Sequence, residues 1–315
     1  MRLQTLHRPL IITALIMGTL GLISLGGLLF DDRVLLGAPI WLKPLKFSIS
    51  LGIYAVTFAW LISLLERPRG RQIGRWLGYV ISAASLIEMS VIVGQVVRGR
   101  ASHFNFATPL DGALFSIMGV TIVVLWVATA VMGVLLLQQR IADRPSALAI
   151  RYGLGIALAG LAVGFLMTNP TPDQTKAMAD GPPAVIGAHA VGVADGGPGL
   201  PLVNWSTEGG DLRAGHFVGM HALQALPLLA FGLVLLSRRF RRLDDSQTRS
   251  RVITVVAGVY AGLTFLVTWQ ALRGQPLLKP DGLTLAVGAA ILVAGALGTV
   301  WAVAANKSRI EVAAA

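Results

Sequence analysis

Apolar residues recur along the chain in long runs, at about 9–30, 41–65, 76–97, 112–137, 149–168, 214–237, 252–272 and 282–305, with polar stretches between them. Each run supplies roughly the 20 residues that cross about 30 Å of hydrocarbon at 1.5 Å per residue. Hydrocarbon offers no water to a broken backbone, so such runs are expected to be helices. The pattern therefore predicts an all-α, polytopic transmembrane bundle of about eight spanning helices, a single integral membrane domain over 1–315. Small residues such as Gly288-Ala289-Ala290 allow close helix approach. Arg2 and Arg8 followed by an apolar run resemble a signal peptide. However, the run from Ile11 to Phe30 is long enough to span and leads into Asp31-Asp32 without a small-residue cleavage site, so a retained first helix is expected.

Composition supports that solvent. Of 315 residues, 55% are hydrophobic and 13% charged, and the mean hydropathy is +0.71. A water-soluble domain carries about 25% charged residues. The net charge of +11 lies in short clusters between apolar runs. This is the positive-inside bias of membrane proteins rather than a phosphate-binding face, and no nucleic-acid partner is expected. With the N-terminus cytoplasmic, seventeen of the 26 Lys and Arg residues fall inside, from Arg2 and Arg8 to Lys307 and Arg309. Both ends are thus expected inside a cytoplasmic (inner) membrane, with the long loop 169–213 extracytoplasmic. Cysteine is absent, which removes disulfides, thiolate metal sites and cysteine nucleophiles.

An internal repeat is visible. Gln95-Val96-Val97-Arg98-Gly99 corresponds to Gln270-Ala271-Leu272-Arg273-Gly274, and each is followed by a Pro and then Asp-Gly, at Asp111-Gly112 and Asp281-Gly282. The same offset of 175 sets Lys46 opposite His221. Four helices return the chain to its starting side, so parallel four-helix halves are expected at 1–145 and 146–315.

Chemistry is sought where polar residues enter the apolar runs. The second run carries Lys43, Lys46, Ser50, Tyr54 and Thr57 on one helical face; the third carries Ser85, Glu88 and Gln95; the sixth carries Arg213, Phe217, His221 and Gln224. Lys46, His221 and Glu88 fall roughly 8, 10 and 14 Å inside their outer helix ends. Charges at such depth must face each other or water, so an outward-opening cavity with Glu88 at its floor is expected. Lys43, Arg98, Arg100, Arg213, Arg273 and Lys279 would ring its mouth, with Trp205 and His103 nearby. Such a basic funnel suits a small anionic ligand or a lipid headgroup. The aspartates around it, Asp111, Asp211 and Asp281, offer the alternative of loop salt bridges.

The leading expectation is an outward-facing ligand-binding membrane protein, a transporter or receptor-like module, with the bilayer as its main partner. A second is an intramembrane enzyme or redox protein using a divalent metal or haem. His103, His216, His221 and Asp211 are its candidate ligands, although the i, i+4 histidine spacing of a zinc helix is missing. A third is a structural subunit of a membrane complex.

Overall fold

The computed structural model describes residues 6–305, so the positive charges counted at Arg2, Lys307 and Arg309 lie outside the described residues. Helix dominates: α1 (Arg8–Phe30), α2 (Leu42–Ser63), α3 (Pro68–Val97), α4 (Pro109–Leu137), α5 (Arg144–Met167), short α6 (Pro172–Ala177), α7 (Leu212–Met220), α8 (Ala222–Ser237), α9 (Ser246–Leu272) and α10 (Gly282–Ala304). Among the described residues, seven helices are long and apolar enough to cross a membrane, and eight if α7 and α8 are one bent span. Large apolar side chains such as Leu15, Leu22, Leu29, Leu297 and Val300 point outward and are exposed, as lipid solvation requires. This is a membrane-embedded helical protein.

The chain divides into two compact units. The first comprises the described residues up to Gln139 and Phe165–Glu208; the second comprises Arg140–Gly164 and the described residues from Gly209 onward. They differ from halves at 1–145 and 146–315 chiefly by the segment 165–208, which is tied to the first unit through its backbone. Ile186 N–H donates to Phe104 O (3.0 Å) and Phe106 N–H to Ala184 O (2.8 Å).

In the first unit α1 packs on α2, and α3 packs on α1, α2 and α4. Leu10, Met17, Phe58, Leu61, Ile81, Met89, Ile92, Met118 and Met132 fill the space between them, fully buried. A tight hairpin joins α1 to α2, with Val34 opposite Pro39 and the turn residues Leu36 and Gly37 at positive φ. In the second unit α9 packs on α7, α8 and α10. Ala149, Leu226, Ala230, Leu233, Ile253 and Ala257 form its core.

The sixth apolar run is not one straight helix. It breaks between Met220 and His221, where α7 and α8 meet at 42°. At the break α5 and α7 approach backbone to backbone: a Cβ on Gly160 would lie 2.5 Å from Gly219 Cα. The Val218 carbonyl at the break accepts from the Tyr260 hydroxyl (2.7 Å). As a result, Arg213, Phe217, His221 and Gln224 do not share one regular helical stripe.

The α3–α4 and α9–α10 corners are built alike. Gly99 and Gly274 stand at φ 67° and 71°, the left-handed position that ends a helix in a Schellman turn. Arg100 N–H accordingly reaches back to Gln95 O (2.9 Å) and Gln275 N–H to Gln270 O (3.2 Å). The Gln95 side-chain amide donates to Ala101 O and that of Gln270 to Pro276 O, each six residues on. Arg98 then clasps Asp111 (2.7 Å) and Arg273 clasps Asp281 (2.6 Å). Asp281 is the N-cap of α10, whereas α4 starts at Pro109 under a Thr108 cap, which puts Asp111 in its first turn.

The Gly160–Gly219 approach leads to a paired prediction. Gly160→Ala should lower stability by about 1–3 kcal/mol, because backbone must move to admit the methyl group. Gly155→Ala on the same helix, with nothing within 4 Å of the new methyl, should leave stability unchanged or raise it by up to ~1 kcal/mol. Thermal melts of the two variants in one detergent check this.

Candidate functional site

Glu88 lies on α3 nine residues before its end, roughly 14 Å along the helix axis, and is wholly inaccessible to solvent. Its Oε2 is 2.8 Å from the Thr121 hydroxyl of α4. Its Oε1 is buried with no hydrogen-bond partner, as are the hydroxyls of Ser82 and Ser85 on the same helix and Ser48 on α2. Lys43, on the first turn of α2, is the cation whose charge acts on Glu88.

Thr121 Oγ1 is also 2.8 Å from Met118 O. One hydroxyl hydrogen serves one acceptor at a time, while its oxygen accepts in turn. An ionised Glu88 takes the Thr121 hydrogen; a protonated Glu88 donates to Thr121 Oγ1, whose hydrogen then turns to Met118 O. The same contact thus accommodates both protonation states of the carboxyl group.

A polypeptide cap covers this end of the first unit. Over 198–207 the chain folds back on itself, with Leu200 N–H donating to Trp205 O and Thr207 N–H to Pro198 O. At its tip Leu202 and Asn204 adopt positive φ, 65° and 54°, uncommon for residues other than glycine. Lys46 Nζ donates to the Val203 carbonyl within that tip (2.9 Å). Trp205 is therefore part of an ordered cap.

Several of the expected site residues have structural duties. The Tyr54 hydroxyl is shared with Thr129 (2.7 Å) across α2 and α4. Gln95, Arg98 and Asp111 form one knot. Arg213 grips Asp211 through Nε and Nη2 (2.9 and 2.6 Å). His103 packs against Phe47, Phe104 and Phe115, with Nδ1 3.1 Å from Ser102 Oγ. The basic funnel is accordingly corrected. Arg98, Arg213 and Arg273 are each neutralised by an aspartate. In the first unit Lys43 is the cation whose charge acts on the buried carboxyl group, and Lys46 is bonded to the cap.

In the second unit His221 stands at the α7–α8 break, Nδ1 3.2 Å from Gln224 Oε1 and its ring against Phe217. His216 places Nδ1 2.9 Å from Gly160 O. Among the described residues no three His, Cys, Asp or Glu side chains gather as a metal ion requires. Of the candidate ligands in the second unit, Asp211 is held by Arg213 and caps α7, while His216 and His221 bond to Gly160 O and Gln224.

Two features escaped the sequence reading. Thr121 and Thr129 lie eight residues apart in the most apolar run, and their spacing at helical period was the available clue. The other is His189, whose Nδ1 lies 2.7 Å from Asp195 Oδ2 and whose ring meets Phe104. Burial opposes the charge on Asp195. His189, together with the N–H groups of His189 and Ala190, outweighs it and holds the carboxyl below its usual range.

No family model matches the chain, and neither a curated protein nor a solved structure is detectably similar to it.

Two predictions follow from this geometry. Glu88→Met should hold stability within about 1 kcal/mol of the parent or raise it. It removes a buried oxygen with no partner and leaves Thr121 bonded to Met118 O, whereas breaking a buried ion pair that served only the fold would cost about 3–5 kcal/mol. Denaturant or thermal unfolding decides between the two. The second concerns the loop at Asp195. Its depressed carboxyl contributes stability above the ordinary aspartate value near 4, and that contribution disappears as pH falls through the folded value. Amide protection factors over 186–196, taken relative to the intrinsic exchange rate at each pH, should therefore fall in acid, and Asp195→Asn should show the lower protection already at pH 7.

Proposed function

We propose that this chain is a multi-pass protein of a cytoplasmic membrane, with eight spans and both ends inside, that binds a small anionic or polar molecule beneath the 198–207 cap and transports it in step with a proton. Lys43 and Lys46 would supply the positive charge and Glu88 the proton-carrying carboxyl. The observation that carries this reading is the Glu88 oxygen that is fully buried and unpartnered. Buried polar atoms in native folds are almost always satisfied. An exception at membrane depth, within the influence of Lys43, is a position held for something that arrives. Thr121 supports the proton-carrying role because it bonds either form of the acid.

The α1–α4 unit gives the reading its place. Ser48, Ser82, Ser85 and Glu88 leave polar atoms unanswered inside an otherwise apolar four-helix packing, and Lys46 ties the cap to the same end. Release of Lys46 from Val203 O would undo one tie between α2 and the cap. A phosphate or carboxylate is the chemistry that best replaces that carbonyl as an acceptor.

The test uses the full chain in liposomes, with radiolabelled phosphate, acetate and succinate as probes. At least one probe should accumulate faster under an inward proton gradient. Glu88→Gln should abolish the gradient dependence, and Lys46→Ala should weaken apparent affinity at least tenfold. If all three probes leak equally from protein-containing and empty vesicles, or if both variants match the parent, the reading fails.

A further inference from the structure

The second unit carries a separate feature at the opposite end of its helices from the α9–α10 corner. Between α9 and α10 runs an open groove of about 480 Å³, lined by Val255, Val259, Leu292, Gly295, Thr299 and Val300. Its floor exists because Gly295 has no side chain, so that Val259 packs directly against the α10 backbone. Thr299 turns its hydroxyl onto Gly295 O (2.8 Å), leaving the lining apolar. Leu292 and Val300 on its rim are more than half exposed. On a membrane-embedded helix pair, such a groove faces acyl chains.

One end of the groove is marked by charge. Arg251 lies one turn before Val255 on α9, about 6 Å along the axis. Its guanidinium carbon stands 5.2 Å from the centre of the Trp301 ring, the residue after Val300 on α10. Trp301 is 58% exposed. Among the described residues Arg251 makes no ion pair within 4 Å, although its neighbour Arg249 reaches Asp143. The charge of Arg251 is felt at the Asp245 carboxylate, whose oxygens already accept from Gln247 N–H, Thr248 N–H and the Thr248 hydroxyl. Arg238, Arg239, Arg241 and Arg242 come shortly before it in sequence. An apolar trough that ends in a tryptophan and an arginine with no ion pair combines an acyl-chain seat with the interfacial aromatic and cationic groups that hold an anionic headgroup.

We infer that the α9–α10 groove is a binding site for an anionic phospholipid, with one acyl chain along Val255, Val259 and Leu292 and the headgroup phosphate on Arg251 beside Trp301. The charge complementarity decides the occupant. A groove meant for a partner helix would not need an arginine without an ion pair at its end, and of the phospholipids only an anionic one brings a net negative charge to that guanidinium.

The full chain is reconstituted into nanodiscs of equal phosphatidylglycerol and phosphatidylcholine and extracted in mild detergent, and the retained lipid is quantified by mass spectrometry. The parent should retain phosphatidylglycerol several-fold over phosphatidylcholine. Arg251→Gln should cut that preference about fivefold, the effect of one basic side chain near an anionic surface. Ala296→Phe, a change at an exposed position of the groove, should lower the total retained lipid. Arg239→Gln, an exposed arginine of the preceding segment, should leave the preference as it is. Equal retention of the two lipids by the parent overturns the proposal. So does an Arg251→Gln or Ala296→Phe variant that behaves like the parent, or a loss at Arg239→Gln as large as at Arg251→Gln, which would reduce the effect to bulk charge.

Discussion

Hydrocarbon gives a polar group nothing to bond to, so every donor and acceptor that this chain carries into the membrane must find its partner within the chain. The commonest answer here is local. Arg33 pairs with Asp31, which also accepts from Trp41 Nε1. Arg213 pairs with Asp211, Arg98 with Asp111 and Arg273 with Asp281. Threonines along α1, α2, α4 and α9 turn their hydroxyls onto a carbonyl one turn back. These pairings cancel the charges where helices end and leave the spans themselves apolar. Helix packing is then free to rest on close contact between small residues, as at Gly160 and Gly219, rather than on ion pairs.

Against that background the unanswered groups stand out. Glu88, Ser82, Ser85 and Ser48 are four buried polar side chains of α2 and α3, each with an unanswered atom. Burying a hydroxyl without a bond costs about 1–3 kcal/mol on mutational scales, and a carboxylate costs more. Four such groups in one four-helix packing amount to a large share of a marginal stability. Selection for the fold alone would replace each by an alanine or a leucine. Their presence is intelligible where stability yields to a task, the usual relation at functional sites.

Much of the architecture was legible because apolar run length and helix length are set by the same bilayer thickness. The runs at 9–30, 112–137, 252–272 and 282–305 lie within or very near α1, α4, α9 and α10. Helix α3 begins eight residues earlier than its apolar run, because Pro68 fixes the first turn and the arginines of that turn remain in the polar region. The break at 220–221 was not legible, since Met220-His221 carries no breaking residue. The Gly160–Gly219 contact and the Tyr260 bond to Val218 O are tertiary and have no local trace. For the arginines of the basic funnel, the alternative of loop salt bridges is the one found at Arg98, Arg213 and Arg273; Asp211 and Arg213 are two residues apart, a separation that side-chain lengths easily close. At the site, Glu88 and Lys43 could be singled out as charges within apolar runs, but Thr121 is neutral and drew no notice until its distance to the carboxyl was known.

The two units also allow a comparison within one molecule. The corner of Gln95, Arg98 and Gly99 recurs as Gln270, Arg273 and Gly274 with the same left-handed glycine, the same folded-back amide and the same arginine–aspartate clasp. Carried along the chain at that offset of 175, Glu88 falls on Leu263, Ser85 on Tyr260 and Lys43 on Val218. The second unit thus has an apolar side chain where the first has its acid. Where the first has an unanswered serine, the second has a tyrosine bonded to the carbonyl of the residue matching the lysine. The corner that ends the helices is thus common to both units, whereas the buried acid with its neighbouring serines belongs to the first.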